Sequence, residues 1–322
     1  MEPKTLVEAV RCFTDLDVCH AYMVKLKWPD GRITCPACGC GRVGNITSRR
    51  LLQCKNKECR KQFSAKVGTI FEDSPLPLSH WFVAVWCLAN FKMGISSCEL
   101  ARTLDITQKT AWFLLHRVRL AMKTATFQRL HGVVESDETY VGGLAANMHA
   151  KVRERKIRGR GPMGKSIVHG LLERNSDKKA QDSEVRATVI PDVEASTILP
   201  IIRRESDPNT IICSDASTSY AGLSERFIHR WVDHVARYAI GKVHVNGIEN
   251  FWSLLKRAIK GTYVACAPYH LTAYVDEEAW RFNNRRFDDG TRFERIMACV
   301  LGRRITYRLL CAIDDAGFMG IT

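Results

Sequence analysis

The sequence predicts an α/β protein in three parts: a small metal-bound ribbon, a helix-turn-helix region and a larger domain of alternating strands and helices. Three observations predict it. Two pairs of closely spaced cysteines stand near the N-terminus, two capped helical stretches follow, and beyond residue 130 apolar strand-like runs alternate with helical patterns. The expected boundaries are 1–75, 76–130 and 131–322.

Composition narrows the class. The chain has 322 residues, 46% of them hydrophobic, so it can bury a sizeable core and is not wholly disordered. Lys and Arg number 48 against 34 Asp and Glu, a net charge of +14, which points to a polyanionic partner, nucleic acid before membrane. The longest apolar run, Trp81 to Ala89, is too short to span a bilayer. The opening Met-Glu-Pro-Lys-Thr does not read as a secretory signal. The expected setting is therefore cytosolic or nuclear with reduced thiols, where the 13 cysteines are metal ligands and buried thiols, not disulfides.

In the first part, Cys35-Pro36-Ala37-Cys38 precedes Cys54 and Cys59. Two short-spaced thiolate pairs separated by enough chain for a hairpin suit a tetrahedral Zn²⁺ site. Cys35, Cys38, Cys54 and Cys59 are the expected ligands, with Cys40 a bystander. A ribbon this small does not fold on burial alone, so the zinc is structural.

The second part reads as a first apolar helix over residues 79–91, broken by Gly94. Ser96 and Glu99 form a capping box, Asp105-Ile106-Thr107 makes a turn, and a second helix runs from Thr107 to about Lys123. Gln108, Lys109, Arg117 and Lys123 are expected outward, and Ala111, Leu114, Leu115 and Val118 inward. A short helix, tight turn and second helix with polar N-terminal residues is a major-groove geometry. A plain helical bundle is the alternative.

The third part begins with a strand over residues 131–141, putting Val133, Glu135 and Asp137 on one face and Val134, Ser136 and Glu138 on the other. Further strands are expected at 166–172, 185–190 and 210–214, with a helix over 194–204. Lys151 to Lys165 carries seven Lys or Arg and one acid, a basic loop in which Arg153, Arg155 and Arg158 are expected on phosphates.

Three acids stand out. Asp137 is mid-strand, Asp215 follows a buried strand, and Glu249 opens a helix whose Lys256 lies two turns on along the same face. Two strand aspartates and a helix glutamate can hold a pair of Mg²⁺ ions, with Mn²⁺ as a substitute, for in-line phosphoryl displacement. Lys256 then faces a phosphate. Glu135 and Glu138 flank Asp137; Glu135 shares its face and can add to the metal field, with a rim position the favoured reading. His244 reads as hydrogen-bonded structure, with DNA contact at Lys242 and His244 the minority reading. Glu277, Arg281 and Arg285 read as an ion-pair ladder, and Trp252 and Trp280 as core.

Several motifs then carry a likeness. Asp137-Glu-Thr-Tyr-Val-Gly-Gly, Ser214-Asp215 with Tyr220 five later, the run from His244 through Asn246, Glu249 and Lys256 to Arg257, and Gly261-Thr262-Tyr263 resemble the ISXO2-like DDE transposases. These are bacterial insertion-sequence enzymes related to the eukaryotic Merlin elements. The likeness extends to the cysteine ribbon, the helix around Trp112 and the late stretch from Asp276 to Arg286.

The resemblance implies an RNase H-like catalytic domain that cleaves transposon ends and transfers the freed 3′-hydroxyl to target DNA. It also implies double-stranded DNA as partner and a homodimer on that DNA. The protein would sit at the nucleoid in a bacterial cytoplasm, or in the nucleus of a eukaryote. Asp137 and Asp215 match the first two catalytic acids. The third place is open between Glu249 and Asn246, since some members carry Asn or His there; spacing and register with Lys256 favour Glu249. A structure-specific nuclease and a regulator with lapsed catalysis are the competing functions, and the three acids speak against the latter.

Overall fold

The computed structural model describes residues 3–123, 128–142, 164–174, 183–232, 244–264 and 266–312. It forms two compact units, the first comprising Met1–Met122 with Phe287–Ile313 and the second essentially Lys123–Arg286. The sequence pattern predicts three parts and a last domain running to the C-terminus. Instead the ribbon and the helices that follow share one unit, and the late helices return to it.

The first unit opens with helices α1 (Leu6–Thr14) and α2 (Leu16–Lys27), each capped by a side chain, Thr5 and Asp15. The ribbon is a small antiparallel sheet of β1 (Val43–Ile46), β2 (Leu51–Cys54) and β3 (Gln62–Phe63). Helix α3 (Leu78–Asn90) is apolar on nearly every side, and nine of its residues are buried, so it forms the unit's axis. Then come α4 (Ser97–Leu104) and α5 (Gln108–Met122), joined by a three-residue turn. The expected capping box is formed: Ser96 Oγ accepts from Glu99 N and Glu99 reaches back to Ser96 N. Asp105 ends α4 in the left-handed region at φ 51°, and Thr107 Oγ1 accepts from Thr110 N.

The reason the C-terminal stretch joins this unit lies in one ring. Beyond the second unit, α9 (Asp289–Met297) presents Phe293, fully buried, to Phe13, Phe82 and Trp86 at centroid distances of 5.1, 5.7 and 5.9 Å. A short last helix, α10 (Tyr307–Cys311), lays Tyr307 on Phe113 and Trp112 of α5.

The second unit is a five-stranded sheet between helices. Its strands are β4 (Val133–Val141), β5 (Ser166–Arg174), β6 (Glu184–Ile190), β7 (Ile211–Asp215) and β8 (Ile228–Val232), in the order β6-β5-β4-β7-β8. The first three run antiparallel, while β4, β7 and β8 are parallel. Helix α6 (Ala195–Glu205) covers one face, where Ile198 and Ile202 join Val134, Leu171 and Ile212. Helices α7 (Asn246–Ala258) and α8 (Leu271–Asn283) cover the other, where Ile248, Phe251, Trp252 and Leu255 meet Val168, Leu172, Val275 and Phe282.

The edge strand β6 is tied to α8 by Asn283, whose side-chain amide both accepts from Val185 N and donates to Val185 O. Arg281 pairs with Glu277 and Glu278, as a helical row predicts, but the cluster is buried, with Tyr263 donating to Glu277. Arg285 leaves the row and donates to the carbonyls of Ser183 and Phe282. Among the described residues no helix is long and apolar enough to cross a membrane.

Candidate active site and zinc centre

Four thiols converge in the ribbon. Cys35 and Cys59 Sγ are 3.8 Å apart, Cys38 and Cys54 Sγ 3.6 Å, and all four lie within 4.8 Å of one another. Thiolates about 2.3 Å from a tetrahedral zinc stand about 3.8 Å apart, so the donor set and its spacing fit Zn²⁺ with no position left open. The first knuckle closes through Gly39 N to Cys35 O and Cys35 N to Cys40 O. Cys40 is not one of the four gathered thiols, and its Sγ accepts from Arg42 N, as expected of a bystander.

The acids of the second unit are organised by β4. Its alternation sends Glu135 and Asp137 toward α7, and Ser136 and Glu138 toward α6. Glu135 pairs with Cys213 in the parallel ladder; the same step along both strands brings Asp137 beside Asp215, the last residue of β7. Both aspartates thus emerge on one face of neighbouring strands. Glu249, exposed in the first turn of α7, faces the same site closely enough to act on Asp137 electrostatically.

Burial pushes the Asp137 carboxyl up to about 6. The Glu138 amide and the Trp252 indole oppose that shift, while the charges of Asp215 and Glu249 add to it. Among the described residues only the four thiols gather three or more ligand atoms within 4.8 Å; the three carboxylates are not drawn so close. Asp215 Oδ1 accepts from Ser217 N at 3.2 Å. Lys256 is exposed on α7, two turns beyond Glu249, and Asn246 is exposed as the first residue of that helix.

Two residues expected at the rim or in the core have closer roles. Glu135 is not on the rim. It is 1% exposed, pairs with Arg174 Nε at 2.5 Å and accepts from Ile248 N at 2.8 Å. It therefore satisfies an orphan amide in the first turn of α7, which has no side-chain cap of its own. A Cβ on Gly247 would stand 3.0 Å from both Glu135 oxygens, tighter than ordinary contact, so a side chain there would press on the carboxylate. Trp252 is buried as expected, yet its Nε1 donates to Asp137 Oδ2 at 2.9 Å. Its ring lies across Gly170, where a Cβ would come within 2.6 Å of it. An indole in an apolar helical stripe reads as core; only the glycine opposite it in β5 hints at a close approach.

On the α6 side Glu138 accepts from the Tyr220 hydroxyl at 2.6 Å, and Ser136 links Tyr220 to His169. Burial pushes Glu138 up to about 7, against the Tyr220 hydrogen bond. His244 is structural: its Nδ1 accepts from Arg174 Nη2 at 2.8 Å. Lys242, Arg153, Arg155 and Arg158 lie outside the described residues.

On α5, Gln108 and Lys109 are exposed; Gln108 donates to Ser97 Oγ, and Lys109 sits over the Tyr307 ring. Arg117 corrects the expectation of an outward DNA contact. It is 4% exposed, its guanidinium rests on Trp81 and Phe113 at 5.0 and 5.4 Å, and it donates to Glu72 O. Two aromatic faces and a carbonyl take the place of water around the charge.

Comparison with known proteins agrees with this arrangement. Residues 15–62 match the transposase zinc-ribbon domain and residues 129–283 the ISXO2-like transposase domain. A protein in the transposable element ISH50 of Halobacterium salinarum is 29% identical over 73% of this chain and 80% of its own length. A transposase-like protein of Haemophilus influenzae is 35% identical over 31% of this chain and 82% of its own. A transposase zinc-ribbon match followed by a transposase-domain match in one chain defines a transposase. Within that class the chain belongs to the ISXO2-like transposase family.

Two outcomes follow from this geometry. Cys54→Ser loses the bound zinc on metal analysis and opens residues 30–70 to protease, while the second unit keeps its cooperative unfolding. Asp137 titrates higher in the fold than the roughly 3.9 of an unfolded aspartate, so its ionisation opposes folding. That cost is absent below about pH 4 and complete above the folded value of about 6. Asp137→Asn, in zinc-replete buffer without Mg²⁺, therefore raises the urea midpoint at pH 7.5, and the gain vanishes at about pH 4. An unchanged midpoint at pH 7.5 means that the carboxylate is not uncompensated.

Proposed function

We propose that this transposase binds the terminal repeats of its element, cuts the phosphodiester at each end and joins the freed 3′-hydroxyl to target DNA. Asp137, Asp215 and Glu249 are the acids that hold the catalytic cations. The observation that carries the reading is their approach on one face from two adjacent strands and the α7 N-terminus, where the charges of Asp215 and Glu249 add to the cost of ionising Asp137. A group of hard oxygen donors, with Asp137 largely withdrawn from water and Glu249 exposed, suits Mg²⁺ or Mn²⁺. A pair of such ions, when bound, stabilises the attacking and leaving oxygens of an in-line displacement.

The chain's own residues do the rest. Trp252 orients the Asp137 carboxylate through its Nε1, and Glu135 fixes the start of α7 and with it the height of Glu249. Lys256, further along α7, meets a DNA phosphate. The sheet order, with three antiparallel strands followed by two parallel ones, supports an RNase H-like reading of the second unit.

The turn between α4 and α5 leaves only the N-terminal end of α5 exposed, which supports base reading by Gln108 and Lys109 in a major groove. Arg153, Arg155 and Arg158 are proposed on phosphates. Two ends must be held together, so the DNA-bound form is a homodimer.

The experiment is incubation with the DNA flanking its own gene, scoring end-specific nicks and then strand transfer; nicks without transfer would make the protein a nuclease. Asp137→Ala and Asp215→Ala abolish cleavage and leave duplex binding intact or tighter. Lys256→Ala slows turnover by about tenfold to a hundredfold, the size of one charge-assisted contact. Glu249→Ala and Asn246→Ala are compared side by side: normal cleavage by the first and none by the second would move the third position to Asn246.

Neutralising Arg153, Arg155 and Arg158 weakens binding to every sequence and flattens the salt dependence, by about 0.9 in log–log slope for each phosphate no longer neutralised. Changes at Gln108 or Lys109 alter sequence preference instead. An undiminished slope removes the loop from the interface.

A further inference from the structure

On the α6 face of the second unit, beside Asp215, lies a pocket of about 310 Å³ that the chemistry above does not use. That is near the lower end of small-ligand sites, which run from about 300 to 1,000 Å³. Its walls include the rings of Tyr220, His229 and Trp231, with Ser217 and Thr218 at the side nearest Asp215. We propose that this pocket receives a nucleobase turned out of the DNA, next to the phosphate held at Asp215. The proposal rests on the reading of Asp215 as part of the cutting site.

Four observations favour a base. Trp231 is 59% exposed on the edge strand β8, so an indole face is free to stack. In the β7–β8 ladder it stands opposite Ser214, one residue before Asp215 and on the other face of the sheet; Asp215 closes β7 and itself lines the pocket, so a nucleotide joined to a phosphate there reaches it around the strand end. The deeper rings are already held: His229 Nε2 is hydrogen-bonded to Ser214 Oγ at 2.9 Å, and the Tyr220 hydroxyl is bonded to Glu138. Their centroids lie 6.1 Å apart, tilted by 38°. A rigid aromatic wall costs little ordering when a ligand binds.

The fourth observation is charge. Among the described residues Asp215 is the one charged residue in the lining, and no Lys or Arg contributes to it. Such a pocket repels phosphate and acidic ligands but accepts a neutral base, whose edge can meet the hydroxyls of Ser217 and Thr218. A base inside a duplex cannot reach it without leaving the stack, which costs a few kcal/mol. Stacking on an aromatic face returns about 1–3 kcal/mol per base.

The test uses the full-length, zinc-bound protein and two single-stranded probes, an octamer of thymidylate and the same octamer with abasic sites, without Mg²⁺. Both probes carry the same phosphates, so their difference reports the bases alone. The wild type should bind the thymidylate octamer about tenfold tighter than the abasic one, Trp231→Ala should bind both equally, and Trp231→Phe should keep most of the difference. A difference that persists undiminished in Trp231→Ala overturns the proposal.

Loss of a dimer in sedimentation by Trp231→Ala, with base-dependent binding unchanged, also overturns it and makes the β8 edge a subunit contact. Because no cleavage is scored, failure here leaves the assignment of the acids standing. Failure of the wild type to cut its own flanking DNA would strike that assignment and not the pocket.

Discussion

A single buried carboxylate, that of Glu135, governs where the candidate site's third acid stands. It sits in the middle of the sheet, neutralised by Arg174, and accepts the amide of Ile248 at the start of α7. A helix that begins without a cap needs some acceptor for its first amides, and here a strand 113 residues earlier in the chain supplies it. The contact sets both the height and the rotation of α7 over the sheet. Trp252 then falls across Gly170 with its indole nitrogen on Asp137, and Glu249 comes to the edge where Asp137 and Asp215 emerge. Without the ion pair, Glu135 would be an uncompensated charge in an apolar layer.

Strand β4 serves two sites because a strand alternates. Its Glu135 and Asp137 build the acidic face under α7; its Ser136 and Glu138 build a buried polar network with His169 and Tyr220 under α6. The two networks are linked through the charges of Asp137 and Asp215, which act on Glu138 as well. Negative charge is thus concentrated at the middle of β4 and the end of β7, and burial raises two neighbouring carboxyls together. That is a poor arrangement for stability and a good one for attracting a cation.

The first unit solves a different problem. A ribbon of three short strands buries little, and four thiols at zinc-ligand spacing make up for the missing core. The helices beside it are held by aromatic packing that borrows Phe293 from the far end of the chain. Segments before and after Lys123–Arg286 therefore contribute to one core.

Local patterns determined much of this. The cysteine spacing, the capping box at Ser96, the strands around Asp137 and Asp215 and the helix of Glu249 are all legible in sequence, because each depends on neighbours a few residues away. Strand β8 is not legible in this way, since Ile-His-Arg-Trp-Val lacks the apolar run of a buried strand and takes its place only by pairing with β7. Arg117 reads as a surface residue, as charge usually does; Phe113 one turn back on its own helix, with the Trp81 ring and the Glu72 carbonyl from earlier in the chain, decides otherwise. The anchoring role of Glu135, the bond from Trp252 to Asp137 and the return of α9 to the first unit are likewise decided by tertiary structure alone. Each depends on a partner roughly a hundred residues or more away, and periodicity records which face a residue occupies but not what it will meet there.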